Sequence, residues 1–76
     1  MPRLRLSSRQ VELFLEKKGF VLVRQKGSHR QYLGLVAGFK RYVTVPTGRK
    51  VILPGTMSSM VRQSGIDRPV WELEAR

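Results

Sequence analysis

A chain of 76 residues carries one histidine, His29. It follows directly on Gly27-Ser28, with Lys26 before that pair and Arg30 after the ring, in the stretch VRQKGSHRQYL (23–33). Imidazole titrates near neutrality, so it can take up or give out a proton there. Placed among cations, it has the parts for one reaction that needs neither a metal nor a protein nucleophile. RNA brings its own nucleophile, the ribose 2′-hydroxyl. The protein must add a group that removes the 2′ proton and positive charge that neutralises the phosphorane. DNA lacks that hydroxyl, so the chemistry is confined to RNA. The competing reading is plain: a lone histidine in a basic protein is more often a surface or packing residue.

Other chemistries lack their parts. With no cysteine and a single histidine, a zinc site cannot be assembled. Five acidic residues are too few and too scattered for a two-metal centre. Glu12 and Glu16 lie one helical turn apart and read as surface residues. No phosphate-cradling loop of P-loop or dinucleotide-binding type is present. No acid lies near His29 in sequence to complete a Ser-His-Asp set. The expectation is an activity with no cofactor and no metal.

Charge points to the same class of partner. Fifteen Lys and Arg against five Asp and Glu give +10. Residues 1–50 hold twelve basic and two acidic side chains, and residues 51–76 hold three of each. A surface that is basic on one side attracts polyanions, nucleic acid first among them. Arg24, Lys26, Arg30, Lys40 and Tyr32 are the candidate RNA contacts. No apolar run approaches the ~18 residues of a membrane span, and the basic start MPRLRLSSRQ has no apolar stretch of signal-peptide length behind it. A cytoplasmic protein with no membrane partner is expected.

The elements that must hold His29 are readable in outline. Ser7 and Gln10 have the spacing of a capping box, with Leu6 and Val11 as its hydrophobic staple. Val11, Phe14 and Leu15 form a helical stripe, and Gly19 supplies the left-handed stop, so a helix is predicted over 8–18. FVLVRQ (20–25), HRQYLGL (29–35) and FKRYVTVP (39–46) read as three strands of an antiparallel meander, turned by KGS and VAG. By alternation, Leu33 and Leu35 are assigned with Val43 and Val45 to the covered face. Arg30, Tyr32, Lys40 and Tyr42 are assigned to a wet, basic one. Thr56 is read as the cap of a second helix with a buried stripe of Met57, Met60 and Val61, ended by Gly65. Asp67 is read as the cap of a last short helix carrying Trp71. The fold class is α+β, in the order α-β-β-β-α with a short C-terminal helix, helices on one sheet face, as a single domain over 1–76.

At this point the chain resembles a known family, the HicA toxins of bacterial and archaeal toxin–antitoxin pairs. KKGFVLVRQKGSHRQY after an amphipathic helix, a strand ending in VTVP, and LPGTMSSMVRQSGI downstream carry the likeness, which covers nearly the whole chain. The resemblance implies a double-stranded-RNA-binding-domain-like fold and a metal-independent mRNA interferase. It implies His29 as the catalytic residue, with Gly27 and Ser28 as the turn that positions it. Its implied partners are mRNA and a HicB-like antitoxin, a larger and more acidic protein. The sequence departs from the family in one place. Many members carry a second histidine after the third strand, where this chain reads VPTGRKVILPG. Arg49 or Lys50 must replace it, or the protein manages without.

Two further readings stay open on the residues alone. One is a non-catalytic RNA-binding module using the same basic face. The other is a DNA-binding regulator with TMSSMVRQSG as recognition helix. The latter is weaker, because that helix carries only Arg62 as a cation and spends its apolar stripe on the core.

Overall fold

The computed structural model describes residues 4–76. Six elements follow one another: α1 (Ser8–Lys17), β1 (Val21–Lys26), β2 (His29–Val36), β3 (Phe39–Pro46), α2 (Pro54–Ser64) and α3 (Arg68–Glu74). The strands form one antiparallel sheet in the order β1-β2-β3, so the fold is α+β as expected. No helix among the described residues is long and apolar enough to cross a membrane.

Both ends of α1 follow from local chemistry. The Ser7 hydroxyl accepts from the Gln10 amide at 3.1 Å, and the Ser7 amide donates to Gln10 Oε1 at 2.9 Å, closing the capping box. At the other end Gly19 takes φ +88°, which lets the Phe20 amide reach back to the Leu15 carbonyl (2.8 Å) and the Gly19 amide to Glu16 (3.0 Å). This is the Schellman arrangement. It turns Phe20 inward, where its ring lies against Gly34 of β2.

Two tight turns set the register of the sheet. Lys26 pairs with His29 across the two-residue loop Gly27-Ser28. Gly27 alone there has positive φ, +57°, as a type II′ turn requires. Val36 pairs with Phe39 across Ala37-Gly38, both at positive φ, the signature of type I′. This second turn overturns the assignment of faces for β2. A three-residue turn VAG would pair Leu35 with Phe39. The two-residue turn pairs Leu35 with Lys40, Tyr32 with Val43 and Arg30 with Val45. One residue of slip exchanges every side chain between faces. Tyr32, expected on the wet face, is 1% exposed in the core, and Leu35, expected in the core, is 68% exposed.

The core lies between the Tyr32–Val43–Val45 side of the sheet and the helices. Val11, Phe14 and Leu15 of α1, Met57 and Met60 of α2, and Trp71 of α3 meet there. The Phe14 and Trp71 rings are 4.3 Å apart between centroids. The indole N–H of Trp71 donates to the buried Ser64 hydroxyl at 3.2 Å, so this large side chain is buried with its donor satisfied. The helix α2 starts earlier than expected. Pro54 takes the first helical position, where its missing N–H costs nothing, and Leu53 is the cap residue. Thr56 therefore sits inside the first turn and does not cap it. Asp67 does stand at the cap of α3, although its side chain makes no capping bond.

The other side of the sheet is not covered by helices. Register places His29, Gln31, Leu33 and Leu35 of β2 there, beside Pro46, Thr44, Tyr42 and Lys40 of β3. Strand β1 is the outer edge; it pairs only with β2, through an irregularity between Leu22 and Arg24, and all six of its residues are exposed.

Candidate active site

His29 opens β2 immediately after the type II′ turn. It is held on both sides, by pairing with Lys26 of β1 and with Pro46 of β3. The Thr47 amide donates to the Ser28 carbonyl at 2.7 Å, which extends the β2–β3 ladder through the turn. A residue so placed has a fixed backbone and, here, an exposed side chain on the open face.

Two hollows meet at this ring. On one side lies a shallow depression among Arg24, Lys26, Gln31 and Thr44. On the other a cleft of about 300 Å³ runs between β3 and α2. Its floor is apolar, from the buried Ile52 and Met60. One wall carries Thr44 and Pro46, the opposite wall Thr56, Ser59 and Gln63, and Arg49 stands on its border. The polar wall has a simple origin. On α2, residues 56, 59 and 63 are spaced i, i+3, i+7, next to the buried stripe at 57, 60 and 64, so they line one flank of the same helix.

Two side chains fix the shape of the cleft. Thr44 is in a non-hydrogen-bonded pair with Gln31, so its amide points off the free edge of β3. Gln63 Oε1 accepts from it at 3.1 Å, docking α2 to that edge. Ser8 does the same for the loop that bears Arg49. Its hydroxyl donates to the Pro46 carbonyl at 2.5 Å and accepts from the Arg49 amide at 2.9 Å, and its own amide donates to the Arg49 carbonyl at 2.9 Å. Ser8 is 3% exposed. The following segment is tied as well, by the Ile52 amide to the Leu6 carbonyl at 2.8 Å.

The structure divides the candidate RNA contacts. Arg24 and Lys26 share the face and the end of the sheet with His29. Lys40 shares the face but pairs with Leu35, six residues along β3 from Pro46, or about 20 Å at the rise of a strand. Arg30 and Tyr32 lie on the opposite side. The Arg30 guanidinium donates to Glu12 Oε1 at 2.7 Å and to Gln25 at 3.3 Å, and the Tyr32 hydroxyl donates to the same Glu12 oxygen at 2.5 Å. The hydrogen bond and charge of Glu12 raise the pKa of Arg30. Burial first, and then the bond to Glu12, push the Tyr32 phenol well above its ordinary range. Tyr32 is thus a core residue with a satisfied hydroxyl and no access to a ligand on the open face, because Tyr32 stands in register with Val43.

Of Arg49 and Lys50, Arg49 borders the cleft with His29 and Lys50 does not. Ser8, Thr44, Thr56, Ser59 and Gln63 carry no signal in the sequence that would bring them to the site. Ser8 reads as the second residue of a Ser-Ser helix start, and it reaches Pro46 across 38 residues of chain. None of the ion pairs among the described residues involves His29. The described residues bring no three His, Cys, Asp or Glu side chains together.

This arrangement sets an exposed imidazole where two hollows meet, with cations on two sides of it. The family model for the HicA toxin of bacterial toxin–antitoxin systems matches residues 8–66. No curated protein and no solved structure matches the chain. Since the match runs from the first residue of α1 to the Ile66 that follows α2, and so spans the turn, the sheet and the cleft, the chain belongs to the HicA toxin family.

Proposed function

We propose that the protein is an endoribonuclease toxin that cuts mRNA without a metal, with His29 as general acid/base. A ring nitrogen of His29 takes the proton of a ribose 2′-hydroxyl. The oxygen attacks the adjacent phosphorus, the bond from phosphorus to the 5′ oxygen breaks, and the leaving oxygen takes a proton from the imidazolium or from solvent water. The products end in a 2′,3′-cyclic phosphate and a 5′-hydroxyl. Arg24 and Lys26 on one side, and Arg49 on the other, neutralise the charge that builds on the phosphoryl oxygens. Gly27 and Ser28 hold the ring at the strand start. The observation that carries this reading is the exposed ring at the meeting of the basic depression and the cleft.

The deciding assay is cleavage of RNA by purified protein in EDTA, with the ends mapped. His29→Ala should lower the rate by about 10²- to 10⁴-fold, the usual worth of a positioned acid or base, while its circular dichroism stays that of wild type. Equal cutting by the two proteins would remove His29 from the mechanism. In the cell the toxin is held by an acidic HicB-type antitoxin, which a +10 surface would steer into contact. Adding that antitoxin should stop the cutting.

One observation favours a second reading, a non-catalytic RNA-binding module: among the described residues no carboxylate pairs with His29 to orient it. RNA that stays whole while binding falls steeply with salt would select that reading.

A further inference from the structure

We propose that the cleft between β3 and α2 seats one unstacked nucleobase, and that Gln63 selects a base bearing a carbonyl oxygen. This rests on the reading of the protein as one that engages RNA at His29. Proteins that read RNA sequence do so mostly on splayed single-stranded bases, by a flat contact on the face and hydrogen bonds at the edge. The cleft supplies both. Its volume of about 300 Å³ is at the small end for a ligand pocket, suited to a group of nucleotide size. Ile52 and Met60, both buried, close the floor, and Leu53 at the mouth, 70% exposed, is the apolar side chain open to the face of a base.

The edge is read by Gln63. Its Oε1 is committed to the Thr44 amide, a group that can only donate. The amide is thereby oriented, and its nitrogen offers two donors. Ser59, one turn earlier on the same flank, adds a hydroxyl that suits either partner. A donor pair favours a base whose edge presents an exocyclic carbonyl. Uracil, guanine and cytosine have one; adenine offers a ring nitrogen beside an amino donor, so it accepts from one N–H and opposes the other. Because His29 and Arg49 border the same cleft, the base seated there belongs to a nucleotide next to the phosphate at His29. The cleft thus biases cutting against adenine at that position.

The test uses 2′-O-methyl trinucleotides, which cannot be cut, with uracil, guanine, cytosine or adenine in the middle and abasic flanks. Each is titrated against isotope-labelled protein while the Gln63 side-chain amide and the Thr44 backbone amide are followed by NMR. Adenine should bind up to about tenfold more weakly than uracil, the scale of one unmade hydrogen bond. Gln63→Glu, which keeps an oxygen for Thr44 but presents a second acceptor, should reverse the order of uracil and adenine. Gln63→Ala should level it. Equal affinity for all four, no saturable binding of any, or an unchanged order in Gln63→Glu overturns the inference. The cleavage assay in EDTA separates the two ideas. RNA that is cut alongside a flat ranking removes only the base reading. A ranked set of affinities without cutting removes only the nuclease.

Discussion

Ser7 and Ser8 are adjacent and both sit at the start of α1, yet removing their hydroxyls should have different results. Ser7→Ala deletes a helix cap, a loss of about 1 kcal/mol. Ser8→Ala deletes a hydroxyl that bridges the Pro46 carbonyl and the Arg49 amide inside the protein, 38 and 41 residues away. Alanine leaves a backbone acceptor and a backbone donor without partners. Each such group costs about 1–3 kcal/mol when buried. The Arg49 end lies close to solvent, so the sum should be near the low end, about 2–3 kcal/mol. For a chain of this size that is a fall in Tm of about 10–20 °C. Urea unfolding followed by Trp71 fluorescence measures the difference directly. Cleavage should also separate the two variants at a temperature where both are folded. Ser8→Ala removes the two hydroxyl bonds to this loop and leaves the backbone bond from the Ser8 amide to the Arg49 carbonyl, which loosens Arg49 at the cleft and slows cutting, whereas Ser7→Ala leaves the cleft intact. A Ser8→Ala protein within about 0.5 kcal/mol of wild type, the range of an ordinary surface change, would refute the tether.

Three further outcomes follow from particular contacts. A Cβ on Gly34 would lie 2.6 Å from the Phe20 ring, so Gly34→Ala should destabilise by about 1–3 kcal/mol through overpacking, read from the urea midpoint. Ala37 holds φ +51° in the type I′ turn, and Ala37→Asn should raise stability by about 0.5–1 kcal/mol because asparagine tolerates that conformation. Lys18 first, and then Lys17, bond Glu74 and hold its carboxyl below the usual carboxylate range. A lowered folded-state pKa means stability that is present above the unfolded value and is lost as the pH falls through the folded one. Glu74→Gln should therefore lower stability slightly in the neutral region, leave it unchanged at a pH below the folded-state value, and so flatten the acid side of a plot of stability against pH.

The elements that follow from short-range chemistry were legible in the residues. Ser7 with Gln10, and Gly19 after Lys18, mark both ends of α1 within a few residues, and the capping bonds are formed. The strand order follows from turns too short for anything but antiparallel neighbours. The faces of β2 were misread because hydropathy favours Leu33 and Leu35 over Arg30 and Tyr32, while register is set by whether the turn has two residues or three. Tyr32 is accommodated inside by Glu12, on another element and 20 residues distant, a partner that no local pattern reveals. The same limit applies to the site. His29 stands out by being single and by its neighbours, but the cleft beside it is assembled from β3, the loop that follows it and α2. Ser8, Thr44 and Gln63 meet only once the chain is folded.

The bare rim of the sheet along β1 has a cost that the protein's charge offsets. Val21, Leu22 and Val23 leave amides and carbonyls unmatched on that side, beside apolar side chains that are about half exposed. Such a row invites a like strand from another molecule. The kink between Leu22 and Arg24 interrupts the template, and mutual repulsion between copies keeps two such rims from meeting. A bound polyanion cancels that repulsion, so the complexed protein relies on the kink alone to resist stacking edge to edge.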